Sequence, residues 1–224
     1  MTWTVVVPVK VATAAKTRLA GDLSPAQRVA LVRAMAVDTV AAARATPLVS
    51  QVLVVTDDPD VDADLHASGR GGTRWASLLI VPEPSGARGL NGAIAAGIAR
   101  ARADRECPVA VLLGDLPALR PVDLAEALRA AASHPLAVVV DADATGTTLI
   151  TAAAGAELHP AFGEGSAAEH LRRGHVALDV PAGSGLRQDV DVLDDLAAVS
   201  RIGPGSATAR VLRALVPGVR PSVA

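Results

Sequence analysis

An aspartate near the middle of the chain stands where a metal ligand would be useful. Residues 111–113 are apolar and predict a buried strand, which Gly114 and Asp115 follow directly. In open α/β sheets functional side chains gather at the carboxyl ends of strands, so we expect the Asp115 carboxylate at such an edge. Magnesium needs few protein carboxylates, because water and substrate phosphates complete its shell. The alternative role for an isolated aspartate here is to cap a helix or turn.

Asp189 and Asp191 are the further acids that such a metal site would need. Residues two apart in an extended segment project to the same side, so these two carboxylates can converge on one ion. Asp191 also precedes a predicted helix that begins at Val192, and capping that helix is its alternative role. The two roles are compatible.

The loop after the first apolar segment carries groups suited to phosphate. Lys10, Lys16 and Arg18 lie there together with the Thr17 hydroxyl. Only two of the 21 basic residues are lysines, and both lie in this loop, where a compact point charge is useful. The loop is not a Walker A motif, because the first twenty residues contain no glycine that would let backbone amides wrap a phosphate. The alternative is a solvated loop with ordinary surface charges.

Two glycine-rich loops run into predicted helices. Residues 85–92 contain Gly89, Asn91 and Gly92, and free amides at a helix start favour an anion or a base edge. The glycines there fall at every third position, so the dinucleotide pattern G-x-G-x-x-G is not met and NAD is not indicated. Residues 162–166 repeat the arrangement with Ser166 as the expected helix cap, and they can hold a second anion. A plain helix start is the alternative.

Composition and spacing exclude other kinds of function. A net charge of -2 and a pI near 6.2 argue against a nucleic-acid partner. The histidines show no zinc-ligand spacing, the single cysteine allows no internal disulfide, and no G-x-S-x-G elbow is present. No apolar run approaches the roughly 20 residues of a membrane helix. We therefore expect a cytoplasmic protein without membrane contact.

Runs of β-branched residues alternate with alanine-rich stretches, which predicts an α/β fold with a mostly parallel sheet. The clearest unit is a strand over 3–9 and a helix from Pro25 to about Ala45, with Ser24 as its N-cap. Residues 136–141 and 147–151 are expected to pair antiparallel across a turn. A strand over 176–180 is also expected, and the tail beyond Gly203 carries no motif. Nothing marks a boundary, so one domain over residues 1–224 is predicted.

Taken together, these motifs resemble one family of guanylyltransferases. The resemblance runs in order along nearly the whole chain to about Ile202, and its elements are specific jointly rather than singly. They are Pro8-Val9-Lys10, Ala15-Lys16-Thr17-Arg18-Leu19, Gly89-Leu90-Asn91, Gly114-Asp115-Leu116-Pro117, Thr145-Gly146-Thr147-Thr148, Phe162-Gly163-Glu164-Gly165-Ser166 and Asp189-Val190-Asp191. They look like those of the phosphoenolpyruvate or 2-phospho-L-lactate guanylyltransferases of coenzyme F(420) biosynthesis.

The resemblance implies a fold, a reaction and a site. The fold is a Rossmann-like three-layer α/β/α sandwich of the nucleotide-diphospho-sugar transferase type. The reaction joins GTP to a phosphorylated three-carbon acid with release of pyrophosphate, and the product passes to a downstream coenzyme-assembly transferase. Thr148, Gly163 and Ser166 would bind the acid. Magnesium would be held by Asp115, Asp189 and Asp191, of which Asp115 would act in catalysis with Lys16 and Arg18. The nucleotide would meet Lys10, Lys16, Thr17, Arg18, Gly89, Asn91 and Gly92.

Other functions stay open at this point. A related transferase could act on 2-phospho-L-lactate, 3-phosphoglycerate, a sugar phosphate or a molybdopterin, and a nucleotide-binding regulator without activity could share the fold. The alanine- and arginine-rich composition is typical of actinobacteria with high-GC genomes, and this lineage favours phosphoenolpyruvate.

Overall fold

The computed structural model describes residues 1–12, 16, 19, 22–68, 75–86 and 89–215. The strands in this part of the chain are β1 (Trp3–Pro8), β2 (Val49–Val55), β3 (Ser77–Val81), β4 (Val109–Leu112), β5 (Leu136–Val140), β6 (Thr147–Ala152) and β7 (Val176–Ala177). The helices are α1 (Pro25–Ala45), α2 (Pro59–Ser68), α3 (Gly89–Arg102), α4 (Pro121–Ala131), α5 (Ser166–Arg172), α6 (Leu193–Ile202) and α7 (Ser206–Leu215).

The strands form one sheet in the order β3-β2-β1-β4-β6-β5-β7. Strand β6 runs antiparallel to both of its neighbours, β4 and β5, whereas the other pairs are parallel. This arrangement confirms the mostly parallel sheet and the antiparallel pair that the sequence predicts. The prediction of a single domain over residues 1–224 stays a prediction.

Helices cover both faces of the sheet. All six residues of β1 are buried, as expected for a strand covered on both sides. Val5 and Val7 belong to a core that includes Val40 of α1, whereas Val6 belongs to a second core with Ile94 of α3. Successive side chains of a strand point to opposite faces, so one strand contributes to both cores. The result is the expected three-layer sandwich.

Helix α1 begins where its sequence predicts. The Ser24 hydroxyl accepts a hydrogen bond from the Gln27 amide at 3.3 Å, and the Gln27 side chain accepts from the Ser24 amide at 2.9 Å. This reciprocal pair satisfies two donors that a helix start leaves free, and Pro25 lacks such a donor.

Strand pairing brings the loops that carry the charged and polar residues to one edge of the sheet. Val6 of β1 is paired with Val111 of β4, so the loops that follow these parallel strands are neighbours. Leu112 is paired with Leu149 of the antiparallel β6, so the amino end of β6 lies at the same edge. A site built at the carboxyl end of β4 therefore receives residues from three strands.

The carboxyl-terminal part departs from the expectations. The strand predicted over 176–180 is shorter, because the chain leaves the ladder after Leu178 and turns where the Ser184 amide bonds the Pro181 carbonyl at 2.9 Å. The tail beyond Gly203 forms α7, which the sequence analysis missed. The Asp38 carboxylate of α1 accepts from the amides of Ala207 and Thr208 at 3.1 and 2.7 Å, so α7 is capped from a distant helix.

None of the helices in the described part of the chain is long and apolar enough to span a membrane.

Candidate active site

A cleft of about 810 Å³ opens at the edge of the sheet where these loops meet. Its wall is built by the residues after β1 and β4, the turn between β5 and β6, the start of α5 and the segment before α6. Among the residues that line it are Lys10, Lys16, Asp115, Asp141, Thr147, Gly163, Ser166, Asp189 and Asp191. These five separate parts of the sequence thus face one space.

Three carboxylates converge at one end of the cleft. One oxygen from each of Asp115, Asp189 and Asp191 lies within 4.8 Å of the others. Burial, followed by the charge of Asp115, raises the pKa of Asp189 to about 7. A second oxygen of Asp115, Oδ1, is buried and has no hydrogen-bond partner in the described part of the chain. Three acids this close repel one another, so a cation is needed to stabilise their ionised forms.

Lys16 supplies a positive charge at this point. Its ammonium group donates to Oδ2 of Asp115 and, at 2.6 Å, to Oδ1 of Asp191. Burial alone would lower the pKa of Lys16, but the two carboxylates hold it above its ordinary value. The Lys16 ammonium group therefore occupies a position in which a positive charge stabilises the ionised carboxylates. The all-oxygen donor set and the unpartnered Oδ1 fit a hard divalent metal ion, so this cluster can hold one.

The close packing around Asp115 favours a glycine at position 114. A Cβ at Gly114 would lie 3.1 Å from the Pro8 carbonyl oxygen and 3.2 Å from a methyl group of Val9, closer than such atoms normally pack. The small residue therefore lets β4 deliver Asp115 directly beside the end of β1. On the other side of Asp115, the Leu116 amide donates to the Thr39 hydroxyl of α1 at 3.1 Å, which fixes the loop.

The segment that carries Asp189 and Asp191 is also fixed. Val190 is fully buried, and its neighbours project toward the cleft as the spacing predicts. The N-cap position of α6 is Val192, and the Asp195 carboxylate accepts from the amides of Asp191 and Val192 at 2.7 and 2.8 Å. The alternative that Asp191 caps this helix is therefore wrong, because the helix begins at Leu193 and Val192, not Asp191, occupies its N-cap position.

The start of α5 forms another part of the cleft wall. Gly165, with φ of 70°, occupies the N-cap position, and Ser166 is the first helical residue, without a capping bond from its side chain. The expectation that Ser166 caps the helix is therefore wrong, because the left-handed turn at Gly165 moves the cap one residue earlier. The Ser166 side chain is buried, and the residue lines the cleft with Gly163.

The two threonines at the start of β6 have different surroundings. Thr147 lines the cleft, and its hydroxyl lies 2.9 Å from Nδ1 of His170. Thr148 is fully buried, and its hydroxyl has no hydrogen-bond partner within the residues that the structure describes. The family resemblance implied Thr148 for the acid, whereas Thr147 is the threonine of this pair that lines the cleft.

Asp141 is a cleft residue that the sequence analysis missed. Its carboxylate accepts from the amides of Thr145 and Gly146 at 3.0 and 2.7 Å, and a Cβ at Gly146 would overlap it. The Asp141 carbonyl accepts from Arg187 at 2.8 Å. Its signal in the sequence was an aspartate that ends a strand before a turn, a common arrangement for bonds to nearby amides.

The residues predicted to bind the nucleotide lie in different positions relative to the cleft. Lys10 and Lys16 line the cleft, whereas Thr17 and Arg18 lie outside the described residues. Gly89 and Gly92 belong to the first turn of α3.

Asn91 makes a pair of bonds to one peptide. Its side-chain amide donates to the Phe162 carbonyl at 2.9 Å, and its oxygen accepts from the Phe162 amide, also at 2.9 Å. Both polar groups of Asn91 are thus engaged with the backbone that leads to Gly163.

Two solved structures share this fold. A proposed nucleotide-diphospho-sugar transferase from Desulfovibrio desulfuricans G20 matches with a TM-score of 0.68 and 19% identity over 96% of this chain and 97% of that one. A 4-diphosphocytidyl-2C-methyl-D-erythritol synthase from Anaerococcus prevotii matches with a TM-score of 0.57 and 10% identity over 90% of this chain and 96% of that one. At such identities the likeness concerns the fold alone, and it confirms the predicted fold class.

Sequence comparison specifies the family. Residues 3–224 match the family described as Guanylyl transferase CofC like, and the chain belongs to it. A phosphoenolpyruvate guanylyltransferase from Sanguibacter keddieii is 61% identical over 94% of this chain and 84% of the relative. Another from Streptomyces coelicolor is 47% identical over 96% of this chain and 98% of the relative. The family resemblance noted from the motifs is thereby confirmed, and the chain is a nucleotidyltransferase.

Proposed function

We propose that the protein transfers the guanylyl group of GTP to phosphoenolpyruvate, giving enolpyruvyl-2-diphospho-5'-guanosine and pyrophosphate, in the biosynthesis of coenzyme F(420). The observation that carries the proposal is the 61% identity to a phosphoenolpyruvate guanylyltransferase over 94% of the chain. The cleft supports it, because a carboxylate cluster and a glycine-rich anion pocket face one space.

The chemistry needs no nucleophile from the protein. A phosphate oxygen of phosphoenolpyruvate is ionised at neutral pH and attacks the α-phosphorus of GTP, while the bond to pyrophosphate breaks. The chain must align two polyanions that repel each other and offset the charge that develops in the transition state. This task accounts for a cleft rich in aspartate, lysine and glycine.

Magnesium is the metal that we propose for the acidic end. Asp115, Asp189 and Asp191 would hold it, and when bound it supplies positive charge to phosphate oxygens. Lys16 bonds two of these acids in the structure, so it lies within reach of any phosphate brought to the cluster. We propose that Lys16 and Arg18 act with Asp115 in catalysis.

The remaining residues divide between the two substrates. We assign the acid to Thr148, Gly163 and Ser166, of which Gly163 and Ser166 line the cleft. Thr148 is fully buried and follows the cleft-lining Thr147 on β6, where successive side chains point to opposite faces, so its assignment depends on the family resemblance alone. We assign the nucleotide to Lys10, Lys16, Thr17, Arg18, Gly89 and Gly92. Asn91, which the resemblance assigns to the nucleotide, bonds the Phe162 backbone that leads to Gly163, so we propose that it supports the acid pocket.

The proposed substrates also indicate the surroundings of the reaction. GTP and phosphoenolpyruvate are cytoplasmic metabolites, so we propose that the protein acts there. The product retains a diphosphate bond that a downstream transferase can break when it moves the acid portion onto the growing coenzyme.

The test is a set of parallel incubations with GTP and magnesium. Phosphoenolpyruvate, 2-phospho-L-lactate and 3-phosphoglycerate are supplied in turn, and the products are identified by mass. The proposal expects pyrophosphate and a guanylylated product chiefly with phosphoenolpyruvate. If a product forms only with one of the other acids, that acid is the acceptor instead of phosphoenolpyruvate. If no acid gives a product, the proposed reaction is overturned.

A further inference from the structure

His170 lies behind the cleft wall and has a hydrogen-bond pattern that permits one neutral tautomer. Its Nε2 atom receives a hydrogen bond from the Ala161 amide at 3.1 Å, and its Nδ1 atom lies 2.9 Å from the Thr147 hydroxyl. A backbone N–H can only donate, so Nε2 must accept and cannot carry the proton of a neutral ring. The proton therefore resides on Nδ1.

The ring is held firmly in a dry environment. His170 is completely buried, and the rings of Phe162 and His175 pack against it edge to face, each with its centroid 5.2 Å away. Burial, with the charges of His175 and Arg173, lowers the pKa of His170 to about 4. The ring is consequently neutral at physiological pH, and its Nδ1–H is a fixed donor.

This fixed donor determines what the Thr147 hydroxyl can do. Because Nδ1 carries the ring proton, for which the Ser166 backbone is a second acceptor, the Thr147 hydroxyl cannot give its own proton to His170. His170 is also the only hydrogen-bond partner of the Thr147 hydroxyl within the described ranges of the chain. Thr147 lines the cleft beside Gly146 and Ser166.

We infer that His170 is a positioning residue, which holds Thr147 so that its hydroxyl donates a hydrogen bond into the cleft to the anionic acceptor. The inference rests on the proposed function and concerns the part that His170 plays in orienting the Thr147 hydroxyl, which lines the same cleft as Gly163 and Ser166. In this arrangement the Ala161 amide donates to His170, His170 donates to Thr147, and Thr147 donates to the substrate anion. Every donor in this series points toward the negative charge, and such series of hydrogen bonds strengthen the last bond. His170 touches no substrate in this arrangement.

Two substitutions of His170 separate positioning from simple structural support. In H170N the side-chain amide nitrogen is in the position of Nδ1, so it keeps the donor to Thr147 and loses the acceptor for Ala161. In H170Q the side-chain oxygen is in the position of Nε2, so it keeps the acceptor and loses the donor. Asparagine is one methylene shorter than glutamine and leaves the larger void, so a purely structural role predicts the larger losses for H170N, the reverse of what positioning predicts.

The experiment measures KM for phosphoenolpyruvate, KM for GTP, kcat and the melting temperature of each variant. H170Q is expected to raise the acid KM about tenfold or more, as loss of a hydrogen bond to a charged group does, with little change in the GTP KM. H170N should retain an acid KM within about threefold of the parent value, since one donor is preserved. H66Q, at an exposed histidine of α2, is the control and should change none of these quantities.

A double-mutant cycle with Thr147 completes the test. T147V removes the hydroxyl and should raise the acid KM, and adding H170Q to T147V should then cost little more, because both changes remove one donated bond. An acid KM for H170N that equals or exceeds that of H170Q, or fully additive effects in the cycle, would overturn the inference. If the parent protein transfers no guanylyl group to any acid, the proposed function fails instead. Calorimetric binding of phosphoenolpyruvate to the same variants then tests the donor without turnover.

Discussion

Replacing Asn91 by alanine tests whether this residue reads the nucleotide or supports the site. The side chain makes two hydrogen bonds of 2.9 Å to the backbone of Phe162, and both would be lost. At a net 0.5–1.5 kcal/mol each, the pair is worth about 1–3 kcal/mol. Alanine is the better helix former by roughly 0.5 kcal/mol, which leaves a loss of about 0.5–2.5 kcal/mol.

Thermal unfolding and kinetics on N91A provide the readout. For a chain of this size each kcal/mol lowers the melting temperature by about 2–4 °C, so a fall of roughly 1–10 °C is expected. The acid KM should rise more than the GTP KM, because the loosened backbone leads to Gly163. The control is Q27A, which removes an exposed amide that makes one bond at the start of α1. An unchanged melting temperature together with a selective rise in the GTP KM would refute the supporting role and leave Asn91 as a nucleotide contact.

Three further predictions concern the cleft. D115N should abolish turnover while the fold persists, and a near-normal rate for this variant at saturating magnesium would contradict the metal assignment. The activity of the parent protein should vanish with EDTA and return with magnesium. S166A should raise the acid KM by the equivalent of about 1–3 kcal/mol with little change in melting temperature, since Ser166 is not the cap of α5; lost stability with normal kinetics would argue the reverse. The third prediction concerns stability in acid. The pKa of His170 is lowered from 6.5 to about 4 in the folded protein. Between these two pH values the unfolded chain therefore binds a proton at His170 that the folded chain does not bind. The free energy of unfolding should therefore fall between about pH 6.5 and pH 4, and denaturant titrations should show a smaller fall in H170N.

The sheet could be predicted because each strand is recognisable from the residues of its own segment. Strands such as β1 and β4 are runs of β-branched residues, and their apolar character persists because helices cover both faces. The start of α1 was equally predictable, since Ser24, Pro25 and Gln27 form a cap by themselves. Residues at the ends of such strands could then be expected at one edge, and the structure brings Asp115, Asp189 and Asp191 together there.

Features that depend on distant partners could not be predicted in this way. Helix α7 is capped by Asp38, and no pattern within the tail records that contact. The cap of α5 depends on the left-handed conformation of Gly165, so the serine beside it was mistaken for the cap. Thr147 and Thr148 are adjacent and identical in type, and only packing distinguishes the one bonded to His170 from the one with a buried hydroxyl.

Product mass after incubation with GTP, magnesium and phosphoenolpyruvate tests the central claim most directly. The account predicts one new species with the mass of enolpyruvyl-2-diphospho-5'-guanosine, formed with an equal amount of pyrophosphate and absent when D115N replaces the parent protein. Unchanged GTP and phosphoenolpyruvate after incubation with folded protein, or pyrophosphate release without that species, would contradict it.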